Sequence, residues 1–402
     1  MIPKLILTLL YLVASLYAAD FKQAIDPITL VFPADHASHA GYQTEWWYVT
    51  GNVRDESGHE FGYQFTIFRR ALDPKSAPER GRTSAWAAND FYMLHLAISD
   101  ISGNTHATFE SLERGAAGIA GATDVSSLLK VRPAYDLWST PKYEAPVNTT
   151  EPIVHVWTKE ASFDRYKKGW KIEASSPRIG LNLTLNESEI KLADQMLHGK
   201  EGMPKGIGSE KGLSRKGPNP GQASYYYSVP RLTTSGTLTL DGKKYTITSG
   251  LSWMDHEFGS NQLSKDQAGW EWFAIQLDNG TDLMLYVLRN KDGSIEPNSS
   301  GTWSDAVGCS HYFKVTASML TPGRIWKSPH TGAEYPVEWS LKINDYDLKL
   351  KPAMDDQEFH SEQATKINYY EGAIRVEGTC SGKPVKGSGY LEITGKNLGG
   401  RM

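Results

Sequence analysis

The chain is 402 residues long, enough to bury two or three cores or one elaborated β architecture. Its 42 Lys and Arg against 46 Asp and Glu leave a formal net charge of −4 spread without blocks, which excludes the basic footprint of a nucleic-acid binder. With 37 Gly, 12 Trp and 20 Tyr, and short alternating runs between Gly, Asp and Asn turns, the composition favours an all-β protein.

In chain order, Lys4 precedes an apolar run from Leu5 to about Ala18 that is short for a membrane span. Residues 1–19 are therefore expected to be a cleaved signal peptide, and the protein to be secreted or periplasmic. No second run of spanning length follows Asp20, so no transmembrane span is expected in the mature chain. The first strong strand covers Glu45 to Val53. After the turn at Gly58 a second strand alternates, with Phe61, Tyr63, Phe65 and Ile67 on one face and Gly62, Gln64, Thr66 and Phe68 on the other. A third, Phe91 to Asp100, is apolar on both sides and includes His95. Strands are shorter over 101–224, and the Gly-, Lys- and Pro-rich residues 199–221 read as a surface loop. Only two cysteines are present, Cys309 and Cys380, which leaves one disulfide or two free thiols equally open.

An internal repeat runs through the chain. Glu45-Trp46-Trp47 is echoed by Glu271-Trp272-Phe273, and Arg69 by Arg289. Tyr226-Tyr227 is echoed by Tyr369-Tyr370, and Trp253-Met254-Asp255 by Tyr390-Leu391-Glu392. The pattern predicts two antiparallel β units of barrel or sandwich type, over about 26–260 and 261–402, the first carrying insertions. Closed barrels hold apolar ligands inside. Trp46 and Trp272, at strand starts, read first as barrel plugs and also as ligand surface, and Trp253 and Trp270 as ligand lining.

The chemically densest stretch is Trp253-Met254-Asp255-His256-Glu257-Phe258. On a strand, Trp253, Asp255 and Glu257 share one face and Met254, His256 and Phe258 the other. A carboxylate beside Trp on a covered face is desolvated, which raises its pKa and suits a proton donor. Asp255, His256 and Glu257 are thus the candidate catalytic residues, with a structural ion pair as the plain alternative.

Together, His39 to Gly51, Trp253-x-Asp255-His256-Glu257-Phe258-Gly259, Gly269 to Phe273 and Gly387 to Gly395 resemble the AttH-like / carotenoid 1,2-hydratase family, in its predicted secreted hydrolase branch. The resemblance implies two tandem lipocalin-like antiparallel β-barrel domains acting on a hydrophobic small molecule. In the hydratases it resembles, an aromatic-x-Asp motif supplies the proton donor, which falls here on Asp255. The aromatic two residues earlier is Trp253 where the carotenoid enzymes are expected to have Tyr, which points away from a carotenoid.

Hydration of an alkene needs an acid, aromatic faces for the carbocation and a directed water. Asp255 could protonate, Trp253 and Trp270 could stabilise the cation, and His256 or His95 could orient the water; no cofactor is required. Adjacent Asp, His and Glu on a strand splay to opposite faces and cannot all ligate one ion, so no metal is expected. Gly-x-Ser-x-Gly is absent, which disfavours a serine hydrolase. The rival reading is a carrier of a hydrophobic ligand. A catalyst should show Asp255 with a strongly raised pKa facing a closed apolar pocket, whereas a carrier should show an open cavity with Asp255 tied up by an Arg such as Arg69 or Arg289.

Overall fold

The computed structural model describes residues 20–129, 151–167, 169–187, 203–204, 212–261, 263–306, 309–361 and 368–394. The leader-like residues 1–19, and 199–202 and 205–211 of the Gly- and Lys-rich stretch, lie outside them. Among the described residues no helix is long and apolar enough to cross a membrane. The protein is all-β, built on two large curled antiparallel sheets.

The first sheet begins with β1 (Thr44–Asp55), β2 (Glu60–Ala71), β3 (Asp90–Asp100), β4 (Thr105–Arg114) and β5 (Gly121–Ala122). It continues through β6 (Val154–Trp157), β7 (Ala161–Tyr166), β8 (Gly169–Ser175) and β9 (Ile179–Glu187). Two short strands, β10 (Met203–Pro204) and β11 (Leu213–Arg215), precede the long β12 (Ala223–Leu240) and β13 (Lys243–Gly259). The order is β4-β3-β2-β1-β13-β12-β9-β8-β7-β6-β5, with β10 and β11 on β12.

The second sheet starts with β14 (Gln267–Leu277), β15 (Asp282–Asn290), β16 (Ser300–Ser304), β17 (Ser310–Lys314) and β18 (Leu320–Pro322). A separate hairpin, β19 (Ile325–Lys327) and β20 (Glu334–Pro336), interrupts it. Then come β21 (Trp339–Ile343), β22 (Tyr346–Pro352), β23 (Glu358–His360), β24 (Asn368–Cys380) and β25 (Lys383–Ile393). Here β25 stands between β14 and β24 as β13 stands between β1 and β12, so the repeated sequence segments occupy equivalent positions.

Each sheet curls round its own core. In the first, Trp47, Val49, Phe61, Tyr63, Phe65, Leu94, Leu96, Phe163, Trp170 and Met254 are buried together. In the second, Phe273, Leu285, Trp339, Leu341, Tyr370 and Leu391 form the core. Both interiors are thus filled by side chains. The plugging aromatics are Trp47 and Phe273, one residue beyond Trp46 and Trp272, because alternation turns the latter pair outward. Trp47 stacks on His256 with ring centroids 5.0 Å apart, and Phe273 meets Trp339 edge-on at 5.4 Å.

The outward faces of the two sheets pack on one another along a seam. Tyr48, Tyr226 and Trp253 from the first sheet are buried with Trp272, Ala274, Met284, Tyr286 and Tyr390 from the second. Asn52 Nδ2 donates to the Gly389 carbonyl at 3.0 Å, Gln64 Nε2 to Tyr369 Oη at 2.9 Å and Ser361 Oγ to Glu110 Oε1 at 2.7 Å across it. At Gly62 the approach is closest: a Cβ there would lie 2.8 Å from both Ala373 Cβ and Tyr390 Oη. Both cysteines are free thiols, Cys309 exposed and Cys380 partly buried.

Candidate functional site

The outward residues of β13 meet the seam, so Asp255 lies between the sheets rather than inside a barrel. Its ladder neighbours are Tyr48 on β1 and Ser228 on β12. Only 3% of Asp255 is exposed. Oδ1 accepts from Ser228 Oγ at 2.6 Å and from the Trp253 indole N–H at 2.7 Å, and Oδ2 accepts from the Tyr226 hydroxyl. Tyr226 Oη in turn accepts from the Trp272 indole at 3.0 Å, a contact made from the second sheet.

The charge next along the strand is treated differently. Glu257 Oε1 accepts from Ser224 Oγ and lies 3.0 Å from Lys216 Nζ, which sits 4.2 Å above the Tyr286 ring. No cation among the described residues lies within ion-pair distance of Asp255. Burial pushes its pKa up from 3.8 to about 7, against the opposing pull of hydrogen bonds from Ser228, Tyr226 and Trp253. Arg69 is held by Glu45 at 2.9 Å and Arg289 by Glu271 at 2.9 Å, so neither neutralises Asp255.

Facing Asp255 across the seam is a second acidic pair. Glu371 on β24 and Glu392 on β25 are direct cross-strand partners. Tyr48 Oη donates to Glu371 Oε1 at 2.7 Å, and the Trp270 indole to Glu392 Oε1 at 2.5 Å. Burial raises Glu371 well above the carboxylate range, with the nearby Glu392 adding to the shift. Glu392 rises to about 7 through burial, held down in part by Trp270 and by the hydrogen bond it shares with Glu371. The two carboxyls lie side by side, and the charge of Glu392 disfavours ionisation of Glu371. The site is therefore a set of neutral or half-neutral carboxyls among indole and phenol rings.

Glu371 and Glu392 were not sequence-predicted site residues, although the repeat pointed to them. Ser228 follows Tyr226-Tyr227 and faces Asp255; Glu371 follows Tyr369-Tyr370 and faces Glu392. The residue after the paired tyrosines thus meets the acid of the aromatic-x-acid motif in both halves. Tyr48 and Lys216 had no such signal, since their role depends on how the sheets dock.

The predicted residues separate into three groups. Trp253, Trp272 and Asp255 come together in the seam, with Trp270 at Glu392 and Trp46 partly buried at its edge. His95 is also on the seam, but beside Tyr369, where its Nδ1 lies 2.8 Å from Tyr369 Oη and its ring stacks on Phe359 at 4.3 Å. Burial lowers its pKa to about 4, so it is neutral.

His256 points the other way, into the first core. Its Nε2 lies 2.9 Å from Glu45 Oε1, and His39 Nδ1 lies 2.8 Å from the same oxygen. His39 Nε2 reaches Asp35 Oδ1 at 3.0 Å, so the group fastens the lead-in segment to the sheet. Burial alone would lower the His39 pKa, but the hydrogen bonds to Asp35 and Glu45 outweigh it and the net shift is upward. Burial would raise Glu45, yet Arg69 and the two imidazoles hold it well below the carboxylate range. Ligand-capable atoms of His39, Glu45 and His256 lie within 4.8 Å of one another. A divalent ion there would have to displace both imidazole-carboxylate bonds beside the Arg69 guanidinium, so this donor set fits an ion-pair network better than a metal centre.

Kievitone hydratase of Fusarium solani subsp. phaseoli is 25% identical over 181 residues, 43% of this chain and 50% of that protein. The dehydratase asqC of Emericella nidulans is 23% identical over 178 residues, 42% of this chain and 50% of that protein. The matches thus span about half the length of these curated relatives. Among solved structures, an AttH protein of Nitrosomonas europaea superposes with a TM-score of 0.71 at 29% identity, covering 94% of this chain and all of that one. Kievitone hydratase of Nectria haematococca shares the fold, with a TM-score of 0.63 at 15% identity over 94% of this chain and 98% of that one. The AttH-like family model matches residues 23–396, and the chain belongs to the AttH-like family.

Proposed function

We propose that the protein is a cofactor-independent hydratase or dehydratase that adds water to, or removes it from, a hydrophobic molecule in the seam between its two barrels. The observation that carries this reading is Asp255: buried, without a cation partner, with its pKa pushed to about 7 and three aromatic side chains around it. A carboxyl with that pKa can donate and recover a proton near neutral pH, as an acid-base catalyst must.

In the hydration direction, the Asp255 carboxyl protonates one alkene carbon and the cation forms on the other. The faces of Trp253, Trp272 and Tyr226 stabilise that cation. Water adds to it, and the proton lost from the resulting oxonium goes to the Asp255 carboxylate or to the Glu371/Glu392 pair. Dehydration is the same path reversed. The hydratase and dehydratase names of the two curated relatives support one chemistry run in either direction. A carrier reading has less support, because both barrel interiors are filled and neither Arg69 nor Arg289 reaches Asp255. The apolar run over residues 5–18 supports an exported location, which N-terminal sequencing of the mature protein would check.

The test is mass spectrometry of hydrophobic isoprenoid alkenes incubated with wild type and with Asp255→Asn. The expected result is a gain of one water with wild type and a rate lower by about 10²–10⁴ in the variant, with binding kept. Equal turnover by the two proteins would remove Asp255 from the chemistry.

A further inference from the structure

The second sheet covers only part of the outward face of the first. Tyr48, Thr66 and His95 are cross-strand partners on β1, β2 and β3, and docking leaves each of them at most 5% exposed. Two residues along each strand, the next row out is Trp46, Phe68, Met93 and, on β4, Leu112. Its first three members are partly exposed and Leu112 is 52% exposed. The row after that, Thr44, Arg70, Phe91 and Arg114, is partly or fully exposed. By alternation both rows face the same side as Tyr48 and His95, so they prolong the apolar seam past the point where the second sheet covers it.

The loop between β2 and β3 extends this surface. Leu72 is 51% exposed, and its N–H donates to the Asn89 carbonyl at 2.8 Å. Trp86 is 61% exposed; its carbonyl accepts from Arg114 Nη1 at 3.4 Å, and the Ala117 N–H donates to the Ala85 carbonyl at 2.9 Å, so the loop is fastened beside the end of β4. Leu72, Trp86 and Leu112 are half of the exposed large hydrophobic side chains among the described residues, gathered at one end of one sheet where a monomer scatters them singly. Cations surround them. Arg70, Arg82 and Arg114 are exposed, and none forms an ion pair with an acid among the described residues. The acids of the loop are engaged, Asp73 with Arg80 at 3.7 Å and Glu79 with the Ser76 N–H at 2.7 Å. Residues 70–89 hold four basic side chains against two acidic ones, in a chain of net charge −4.

We infer that this end of the first sheet docks on an anionic bilayer, seating Leu72, Trp86 and Leu112 in the headgroup layer with Arg70, Arg82 and Arg114 on lipid phosphates. Arginine stems lie along apolar surface while their guanidinium groups bind phosphate, and an indole ring is apolar on its faces and polar at its N–H, which suits the membrane boundary. A second copy of this chain on the same face would set arginine against arginine in a two-fold contact, which favours lipid as the occupant. The inference stands on this surface alone and does not depend on the hydratase reading.

The experiment is co-sedimentation of the full chain with vesicles of phosphatidylcholine alone and of phosphatidylcholine mixed with phosphatidylglycerol, at low and high salt. Wild type should bind the anionic vesicles, and more weakly as salt screens the arginines. Each basic side chain near such a surface strengthens binding about fivefold, so Arg82→Ser/Arg114→Ser should weaken anionic binding roughly 25-fold and neutral binding little. Leu72→Ser/Trp86→Ser should weaken anionic binding about tenfold or more at either salt. All four side chains are partly or largely exposed, and thermal melting checks that the variants stay folded. The apolar residues 5–18 are common to every variant, so differences between variants report this face. Failure of wild type to bind anionic vesicles overturns the inference, as does binding that both double variants leave unchanged. A dimer that Leu72→Ser/Trp86→Ser dissociates, with no vesicle binding, gives the face to a second copy instead.

Discussion

Tyr48 lies directly opposite Asp255 on the neighbouring strand, and its hydroxyl crosses to the other sheet to donate to Glu371 at 2.7 Å. It thus adjoins the acid of the first barrel and binds the acid pair of the second. Tyr48→Phe removes a donor that lowers the Glu371 pKa and leaves a buried carboxyl oxygen bare. The expected cost is about 1–3 kcal/mol in urea unfolding.

Stability should depend on pH through the buried acids. Asp255 and Glu392 have ordinary values of 3.8 and 4.5 and rise to about 7 in the folded protein. The folded state therefore binds more protons than the unfolded chain across that interval. Their contribution is full at the acid end and is lost as pH rises through about 7. Denaturant midpoints followed over that range should fall for wild type, and fall less for Asp255→Asn and Glu392→Gln.

Trp253→Phe tests how the donor is tuned. The indole N–H at 2.7 Å stabilises the Asp255 carboxylate, so its loss should raise the Asp255 pKa further. In the pH-rate profile the limb on which activity falls with loss of the acid form should move to higher pH. A limb that stays in place would mean that Asp255 does not set it.

His256 and Glu45 should behave as stability residues. Glu45→Gln breaks a buried pair with Arg69 and weakens two imidazole contacts, at a cost of about 3–5 kcal/mol. His256→Gln should destabilise while lowering kcat by far less than the roughly 100-fold that a lost proton donor costs. A loss of that size at unchanged stability would return His256 to the chemistry.

Much of the fold was legible because strand alternation and repeat spacing are local properties. The faces of β2 and the outward set Trp253, Asp255 and Glu257 follow from period two, and the equivalence of the halves from their echo, whereas the arginines set against Asp255 proved to pair with Glu45 and Glu271. The choice of plug was missed by one residue at Trp46 and Trp272, since a run of aromatics does not reveal which member turns inward. The location of the site between barrels could not be read either. It depends on the outward faces being covered, and covering is decided by contacts such as Tyr48 with Glu371, 323 positions apart. His256 sits next to Asp255 in sequence and on the far side of the sheet in space, which is why one Asp-His-Glu run holds a seam acid and a core anchor.

Gly62 carries a consequence for how the protein can be switched off. Because a single methyl at that position would collide with Ala373 and Tyr390, the fit of one barrel against the other has no slack there. Gly62→Ala should wedge the halves apart while each keeps its own hydrophobic interior, so turnover should be lost with little change in either barrel's melting. By the same logic, on the hydratase reading, mild denaturant that loosens the seam should abolish turnover before the two cores of the sheets are lost.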